Sequence, residues 1–236
     1  MTTSYFANVS DGLVIAVEAV TQAEIDADPN LYSGLWIEVP SLDQVPELGW
    51  AWLADYGFFD LDPNAVRVRT GTESDDSMNG VDGKDSLSGL GGNDTLNGGG
   101  GRDTLVGGSG NDTYLVDTAG DIIRETSGGG YDEVRTSLAT YILARTVEKL
   151  TYTGNTSFSG RGNDIANIII GASGNDTLDG MRGADTMIGG SGDDSYFVDN
   201  IGDVVTELTS QGVDTVQSTI TISSLFGNVE NIKLLG

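Results

Sequence analysis

Between Gly71 and Leu115 the chain repeats a single nine-residue pattern. The five lines are GTESDDSMN, GVDGKDSLS, GLGGNDTLN, GGGGRDTLV and GGSGNDTYL. Every line begins with Gly, has an apolar residue at its eighth position, and has Asp at its sixth position, namely Asp76, Asp85, Asp94, Asp103 and Asp112. A repeat this short is typical of a stack of equivalent segments that contact only their neighbours, and not of one large globular core.

Each line has the composition of a tight turn followed by a very short strand. Glycines at the first and fourth positions permit φ above zero, and the last three residues suit a strand whose middle side chain points inward. One inward apolar residue buries too little surface to offset the ordering of a whole line, at ~1–2 kcal/mol per residue for the backbone alone. An Asp beside exposed glycine carbonyls is a hard oxygen donor suited to Ca²⁺. The pattern therefore predicts turns that calcium closes.

These lines resemble the GGxGxDxUx nonapeptide of the repeats-in-toxin (hemolysin-type calcium-binding) family. Three further lines occupy residues 171–197. In that family two successive lines make one turn of a parallel β-roll, and calcium lies between turns stacked on the same edge. The resemblance implies calcium between three pairs: Asp76 with Asp94, Asp94 with Asp112, and Asp85 with Asp103. The alternative is that Asp and Asn merely favour turns, which explains less well why the sixth position is always Asp.

After Leu115 the nonapeptides give way to a wider pattern, and the whole unit then recurs. Short β-prone pieces predict broader rungs that continue the roll, at Ile122–Arg124, Glu133–Thr136, Tyr141–Leu143 and Val147–Thr153. The recurrence is an internal duplication, because every member of one set of residues returns after the same interval. Asp94, Asp103, Asp112, Asp117, Asp121, Glu125, Asp132, Glu148 and Gly154 return as Asp176, Asp185, Asp194, Asp199, Asp203, Glu207, Asp214, Glu230 and Gly236.

The second copy rebuilds the nonapeptide phase from Asn167, which takes the sixth position one line before Asp176. The resemblance then implies two more calcium pairs, Asn167 with Asp185 and Asp176 with Asp194. The first pair is expected to be the weaker one, because Asn offers a neutral oxygen. Five bound ions would change the net charge from −25 to −15, so the repeats should repel one another without metal.

The acidic residues of the wide rungs invite a catalytic interpretation, since paired carboxylates hydrolyse glycosidic bonds. Asp121, Glu125 and Asp132 nevertheless recur at the same spacing in the second copy. An active site is seldom duplicated whole along a solenoid, whereas turn and capping residues must be. We therefore interpret these acids as turn and capping residues, and predict no enzyme activity and no cofactor other than Ca²⁺.

Residues 1–69 differ in composition and hold all three Trp and all four Pro of the chain. Their pattern predicts a small β-rich α+β module with two hairpins, one helix and a further strand. The predicted pieces are Ser4–Val9 with Leu13–Val20, a helix from Thr21 to about Ala27, Leu35–Val39, and Gly49–Leu53 with Phe58–Leu61. The cluster of Trp36, Trp50 and Trp52 is interpreted as a small core, and a sugar-binding platform is the alternative.

Composition narrows the range of partners. Lys and Arg number 11 against 36 acidic residues, and this balance argues against nucleic acid and anionic glycans as direct partners. The chain has neither Cys nor His, which removes disulfides and the usual hydrolytic base. No apolar run predicts membrane insertion, and MTTSYFANVSDG lacks the basic start and apolar core of a conventional signal peptide.

The order of hairpin, helix, Trp36-Ile37 strand and GWAW hairpin in residues 1–69 is similar to a module of phage tail-fibre and virion-appendage proteins. Together the two resemblances imply an all-β protein, a calcium-binding parallel β-roll or β-solenoid with a small N-terminal module. The predicted divisions are an attachment module at 1–69, a nonapeptide roll at 70–115, wide rungs at 116–160, a second nonapeptide roll at 161–197 and a second set of wide rungs at 198–236.

The predicted function is that of a non-enzymatic calcium-binding structural protein on a virion surface or phage tail. Residues 1–69 would dock to other tail proteins, and the roll would face a host receptor or glycan. The first alternative is a secreted repeats-in-toxin protein or adhesin fragment, exported by the type I route to the extracellular space. The second alternative is an accessory module of a polysaccharide-modifying enzyme.

Overall fold

A computed structural model describes the backbone of residues 3–10, 13–21 and 36–39, and residues 66–235 apart from 127 and 223–225. The chain divides into two compact units, Met1–Arg67 and Val68–Gly236. Among the described residues every regular element is a strand. None of them belongs to a helix long and apolar enough to span a membrane.

The described part of the first unit up to Val39 is a three-stranded antiparallel sheet. Its strands are β1 (Thr3–Ser10), β2 (Leu13–Thr21) and β3 (Trp36–Val39), in the order β2-β1-β3. The first predicted hairpin and the third predicted strand are therefore confirmed. The helix predicted after Thr21, the second hairpin, and Trp50 and Trp52 lie outside the described residues.

The second unit winds between two sides, and consecutive strands alternate between them except for the last two strands, which lie on the same side. One side is a single eight-stranded sheet of β5 (Ser77–Asn79), β7 (Thr95–Asn97), β9 (Thr113–Val116), β11 (Glu133–Thr136), β13 (Lys149–Tyr152), β15 (Ile168–Ser173), β17 (Thr186–Ser191) and β19 (Val204–Thr206).

The other side holds two sheets, in the same winding order. The first contains β4 (Val66–Thr70), β6 (Lys84–Gly91), β8 (Thr104–Ser109) and β10 (Ile122–Arg124). The second contains β12 (Thr140–Ile142), β14 (Ser159–Arg161), β16 (Thr177–Asp179), β18 (Ser195–Val198), β20 (Thr215–Ser218) and β21 (Asn231–Leu234). Neighbouring strands from β5 onward run parallel, so the predicted all-β parallel solenoid is confirmed.

The register shows that two nonapeptides make one turn. Leu96 lies opposite Met78 on one side and Tyr114 on the other, while Leu87 lies opposite Leu105. These partners are two lines apart, as predicted. Each turn contributes an inward apolar side chain, and the fully buried ones of the strands form a column along the axis: Leu87, Leu96, Leu105, Tyr114, Val134, Leu150, Ile169, Leu178, Met187, Tyr196 and Val216.

The wide rungs continue the roll without breaking this register. Val134 lies opposite Tyr114 of the preceding turn and opposite Leu150 of the following turn. The turn that leads from Tyr114 to Val134 is longer than a pair of nonapeptides, and the turn from Val134 to Leu150 is shorter, so the stack stays in phase. The strand predicted at Tyr141–Leu143 is displaced to Thr140–Ile142. The strand predicted at Val147–Thr153 is shorter, because the N–H of Val147 donates to the Ala144 carbonyl in a turn (3.3 Å) and the strand begins only at Lys149.

Equivalent strands of the two copies lie on opposite sides of the solenoid. Strand β9 belongs to the eight-stranded sheet, whereas its duplicate β18 belongs to the other side. The duplicate is nine strands further along the chain, and an odd number of half-turns brings it to the opposite side. Equivalent turns of the two copies consequently face opposite edges of the roll.

Candidate metal centres

A ladder of carboxylates joins the sixth positions of stacked lines. The backbone N–H groups of Asp76, Asp85 and Asp94 donate to the Oδ1 atoms of Asp94, Asp103 and Asp112, each at 2.8 Å. A peptide N–H at one turn thus fixes the carboxylate of the next. Because Asp is the shortest side chain that carries a carboxylate to this N–H, the geometry accounts for the strict recurrence of Asp.

The second copy has the same ladder. The N–H of Asn167 donates to Asp185 Oδ1 (2.8 Å), and that of Asp176 donates to Asp194 Oδ1 (2.7 Å). The structure therefore stacks all five residue pairs that the sequence suggested. Asn167 is also held by its amide, which donates to the Val147 carbonyl (3.1 Å), while its Oδ1 accepts the N–H of Asn163 (2.8 Å).

The second oxygen of these carboxylates has a different environment. Although buried, the Oδ2 atoms of five aspartates accept no hydrogen bond from the protein, those of Asp94, Asp112, Asp176, Asp185 and Asp194. Buried polar groups are normally hydrogen-bonded, and an unpaired buried carboxylate is costly. These oxygens are therefore suited to a ligand that supplies positive charge.

Glycine at the first position keeps space open around this oxygen. A Cβ added to Gly89 would overlap Asp94 Oδ2 and would lie 2.8 Å from the carbonyl oxygen of Gly107, which belongs to the next stacked turn. A carboxylate oxygen and a backbone carbonyl converging on one small space are hard oxygen donors of the kind that Ca²⁺ takes. The residues present therefore fit the calcium that the sequence predicted, with their individual ligand roles remaining a prediction.

Electrostatics also favours a cation here. Burial, together with the weaker repulsion from neighbouring carboxylates, raises the pKa of Asp112 and Asp194 to about 6 and that of Asp185 to about 7. The backbone N–H that donates to each carboxylate lowers the pKa only in part. A bound cation would remove the repulsion and stabilise the ionised form.

Two acidic clusters occur where the nonapeptides meet the wide rungs. They consist of Asp112, Glu125 and Asp132 in the first copy and Asp194, Glu207 and Asp214 in the second, and one carboxylate oxygen from each residue of a cluster lies within 4.8 Å of the others. Burial, followed by repulsion from the two aspartates, raises the pKa of Glu125 to about 7 and that of Glu207 to about 8.

The sequence predicts that the wide-rung acids lie in turns and caps, and it does not connect Glu125 with the sixth-position aspartates. A usable signal is present, because Asp112, Glu125 and Asp132 keep the same mutual spacing when they return in the second copy. Turn residues need to be preserved relative to their own turn, whereas these three belong to two successive rungs.

A family model for the RTX calcium-binding nonapeptide repeat, four copies long, matches residues 79–114 and again residues 161–196. The chain carries RTX calcium-binding repeats. The starts of the two RTX matches are separated by the same interval as the duplicated acids. The matches end at residues 114 and 196, so the wide rungs lie beyond the matched segments. No curated protein matches the chain.

Proposed function

We propose that this chain is a non-enzymatic structural protein whose RTX roll closes around calcium and serves as a stiff element in calcium-rich surroundings. One observation carries the proposal: the row of buried carboxylate oxygens that have no protein partner, those of Asp94, Asp112, Asp176, Asp185 and Asp194. Leaving such groups buried and uncompensated opposes folding. A cation that binds the folded roll, and not the unfolded chain, therefore contributes its binding free energy to folding.

The placement of the acids supports a structural role over catalysis. Asp94, Asp112 and Asp194 are each 1% exposed, since they lie inside the stack between successive turns. Carboxylates that hydrolyse a bond must flank a substrate in a cleft. The same arrangement recurs turn after turn, as a scaffold requires.

Calcium binding would also make folding of the roll depend on the free calcium concentration around the protein. Where free calcium is low, as in a cytosol, the roll would remain unfolded, and it would fold on reaching calcium-rich surroundings. The finer prediction is a virion-surface or tail component attached through residues 1–69, of which three strands are described. The alternative is a secreted protein that acts free in the extracellular space.

Circular dichroism of the full chain tests the structural proposal. We expect excess EGTA to remove most of the β signal and added calcium to restore it, with Mg²⁺ at the same concentration as the ionic control. A spectrum that is identical in EGTA and in calcium would contradict a calcium-closed roll. The location is tested separately, by probing purified particles and particle-free medium with an antibody, and protein only in the medium would reject the virion assignment.

A further inference from the structure

The two acidic clusters at the ends of the nonapeptide blocks are called the mixed clusters here, because each combines aspartate with glutamate. We propose that Asp112, Glu125 and Asp132, and likewise Asp194, Glu207 and Asp214, each hold one Ca²⁺-type ion with three carboxylates. This inference rests on the proposed function, because it assumes that the roll binds calcium. It adds sites that extend beyond the repeat itself, since the matched segments end at residues 114 and 196 and two acids of each cluster come after those ends.

The backbone draws the three acids together from two successive rungs. Asp132 Oδ1 accepts the N–H of Asp112 (2.8 Å), which continues the aspartate ladder into β11. Glu125 follows β10, and its Oε1 accepts the N–H of Gly107 (3.1 Å). In the second copy Asp214 Oδ1 accepts the N–H of Asp194 (2.9 Å) in the same manner. The arrangement is thus built twice from the same positions.

Each cluster contains buried oxygens without a protein partner. Asp112 and Asp194 are 1% exposed and Glu207 is 5% exposed, yet Asp112 Oδ2, Asp194 Oδ2 and Glu207 Oε2 accept no hydrogen bond. Glu125 Oε2 is unpartnered as well. Three carboxylates within 4.8 Å of one another supply only hard oxygen donors and, when ionised, one negative charge each. Such a set suits Ca²⁺, which accepts irregular all-oxygen coordination.

The opposite edge of each block ends differently and provides an internal comparison. There the ladder passes from Asp103 to Asp121 and from Asp185 to Asp203, at 3.1 Å in both copies. The remaining oxygen of Asp203 accepts the N–H groups of Asp199 (3.1 Å) and Asn200 (3.0 Å). Backbone N–H groups therefore satisfy the last carboxylate of this edge, that of Asp203, whereas Glu125 and Glu207 each keep a buried Oε2 that accepts no hydrogen bond.

A cation in each cluster would tie a nonapeptide block to the wide rung that follows it. Asp112 precedes β9, and Asp132 precedes β11, so an ion shared with Glu125 connects two turns whose lengths differ from the usual repeat. Since the copies are an odd number of half-turns apart, the two ions would lie on opposite edges of the roll. Calcium would then organise the wide rungs as well as the nonapeptides.

Counting bound calcium by equilibrium dialysis tests the proposal on the full chain. The double variant Glu125→Gln with Glu207→Gln keeps the side-chain size but removes one charge from each cluster. We expect it to bind two fewer ions than the natural chain at a free calcium concentration that just saturates the latter. The matched control is Glu133→Gln, a wide-rung acid held by Lys149 (3.1 Å) and Arg135 (3.0 Å), which should bind the full number.

An unchanged ion count and affinity in the double Gln variant would overturn this proposal while leaving the calcium-closed roll intact. A natural chain that binds no calcium at all would instead reject the proposed function, and this inference with it. The two failures are therefore distinguishable.

Terbium luminescence gives a second readout that does not depend on the Gln variants folding. The hydroxyl of Tyr114 accepts the same Gly107 N–H as Glu125 (2.8 Å), and the Tyr196 hydroxyl donates to Glu207. A Tb³⁺ ion in these clusters would be excited through the two tyrosines. We expect Tyr114→Phe with Tyr196→Phe to lose more sensitised emission than Tyr152→Phe, whose hydroxyl is bonded to that of Thr156. Equal losses would overturn the proposal.

Discussion

Asp94 Oδ1 accepts a hydrogen bond from the backbone N–H of Asp76, one turn earlier in the roll, at 2.8 Å. The same carboxylate keeps its Oδ2 buried and without a protein partner. One oxygen therefore joins two successive turns, while the other is available to the cation that we propose. This division would let a repeat with a single inward apolar residue per line specify both its stacking and the dependence on metal that we propose.

Asp94 lies between two turns and should therefore contribute to more calcium sites than Asp76. Asp94 contacts Asp76 on one side and Asp112 on the other, whereas Asp76 Oδ2 already accepts the N–H of Thr72 (2.6 Å). We expect Asp94→Ala to remove two bound calcium ions and Asp76→Ala to remove one at most, as measured by calorimetry. Equal losses in the two variants would contradict the stacking order.

We predict that calcium binding requires the space beside Gly89. A Cβ there would overlap Asp94 Oδ2 and approach the Gly107 carbonyl, so Gly89→Ala should displace the cation and destabilise the calcium-loaded roll by about 1–3 kcal/mol. Gly227→Ala is the control, because an added Cβ there meets no atom within 4 Å. Denaturant unfolding in saturating calcium measures both, and a Gly89→Ala variant as stable as Gly227→Ala would refute this role.

Leu90 stores backbone strain at the second position of its line. Its φ is 80°, in the region that favours glycine, and its side chain is 43% exposed. We expect Leu90→Gly to stabilise the roll by up to about 1 kcal/mol in denaturant unfolding. A side chain in this region costs about 1–2 kcal/mol, and the larger conformational entropy that glycine loses on folding offsets part of the gain from removing it. Val81 holds the same position with comparable exposure (44%) and is not among the described residues with positive φ, so Val81→Gly should be destabilising.

The effect of pH should reverse between metal-free and calcium-loaded protein. Burial raises the pKa of Asp112 to about 6, that of Asp185 to about 7 and that of Glu207 to about 8, above the values of an unfolded chain. The metal-free fold then holds more protons than the unfolded chain between about pH 4 and pH 8, so its stability falls as the pH rises through this window.

Calcium competes with those protons and should bind more tightly as the pH rises. In EGTA we expect more β signal at pH 5 than at pH 8, and in limiting calcium the opposite order. Circular dichroism across this range checks both signs. A metal-free chain whose β content grows towards pH 8 would show that these carboxylates are not buried as described.

The nonapeptide part of the fold could be predicted because its information is local. A period of nine with Gly, Asp and an apolar residue at fixed positions gives the strand of each line, and the pairing of Leu96 with Tyr114 follows once two lines make a turn. The stacking of Asp94 on Asp112 was accessible for the same reason. The resemblance to the repeats-in-toxin family supplied the two-line turn, and the structure agrees with it.

The repeat, its inward residues, its sixth-position carboxylates and the duplication can thus all be read from the order of amino acids. The winding of the wide rungs could not, because these rungs have no fixed period and hold their register through the neighbouring turns. That winding places Glu125 next to Asp112 and Asp132, and it places the strands of the second copy on the side opposite to their equivalents in the first. Both features depend on the number of residues in each turn of the roll. Such short strands do not indicate that number in the sequence, and it becomes clear only when the strands are stacked in the tertiary structure.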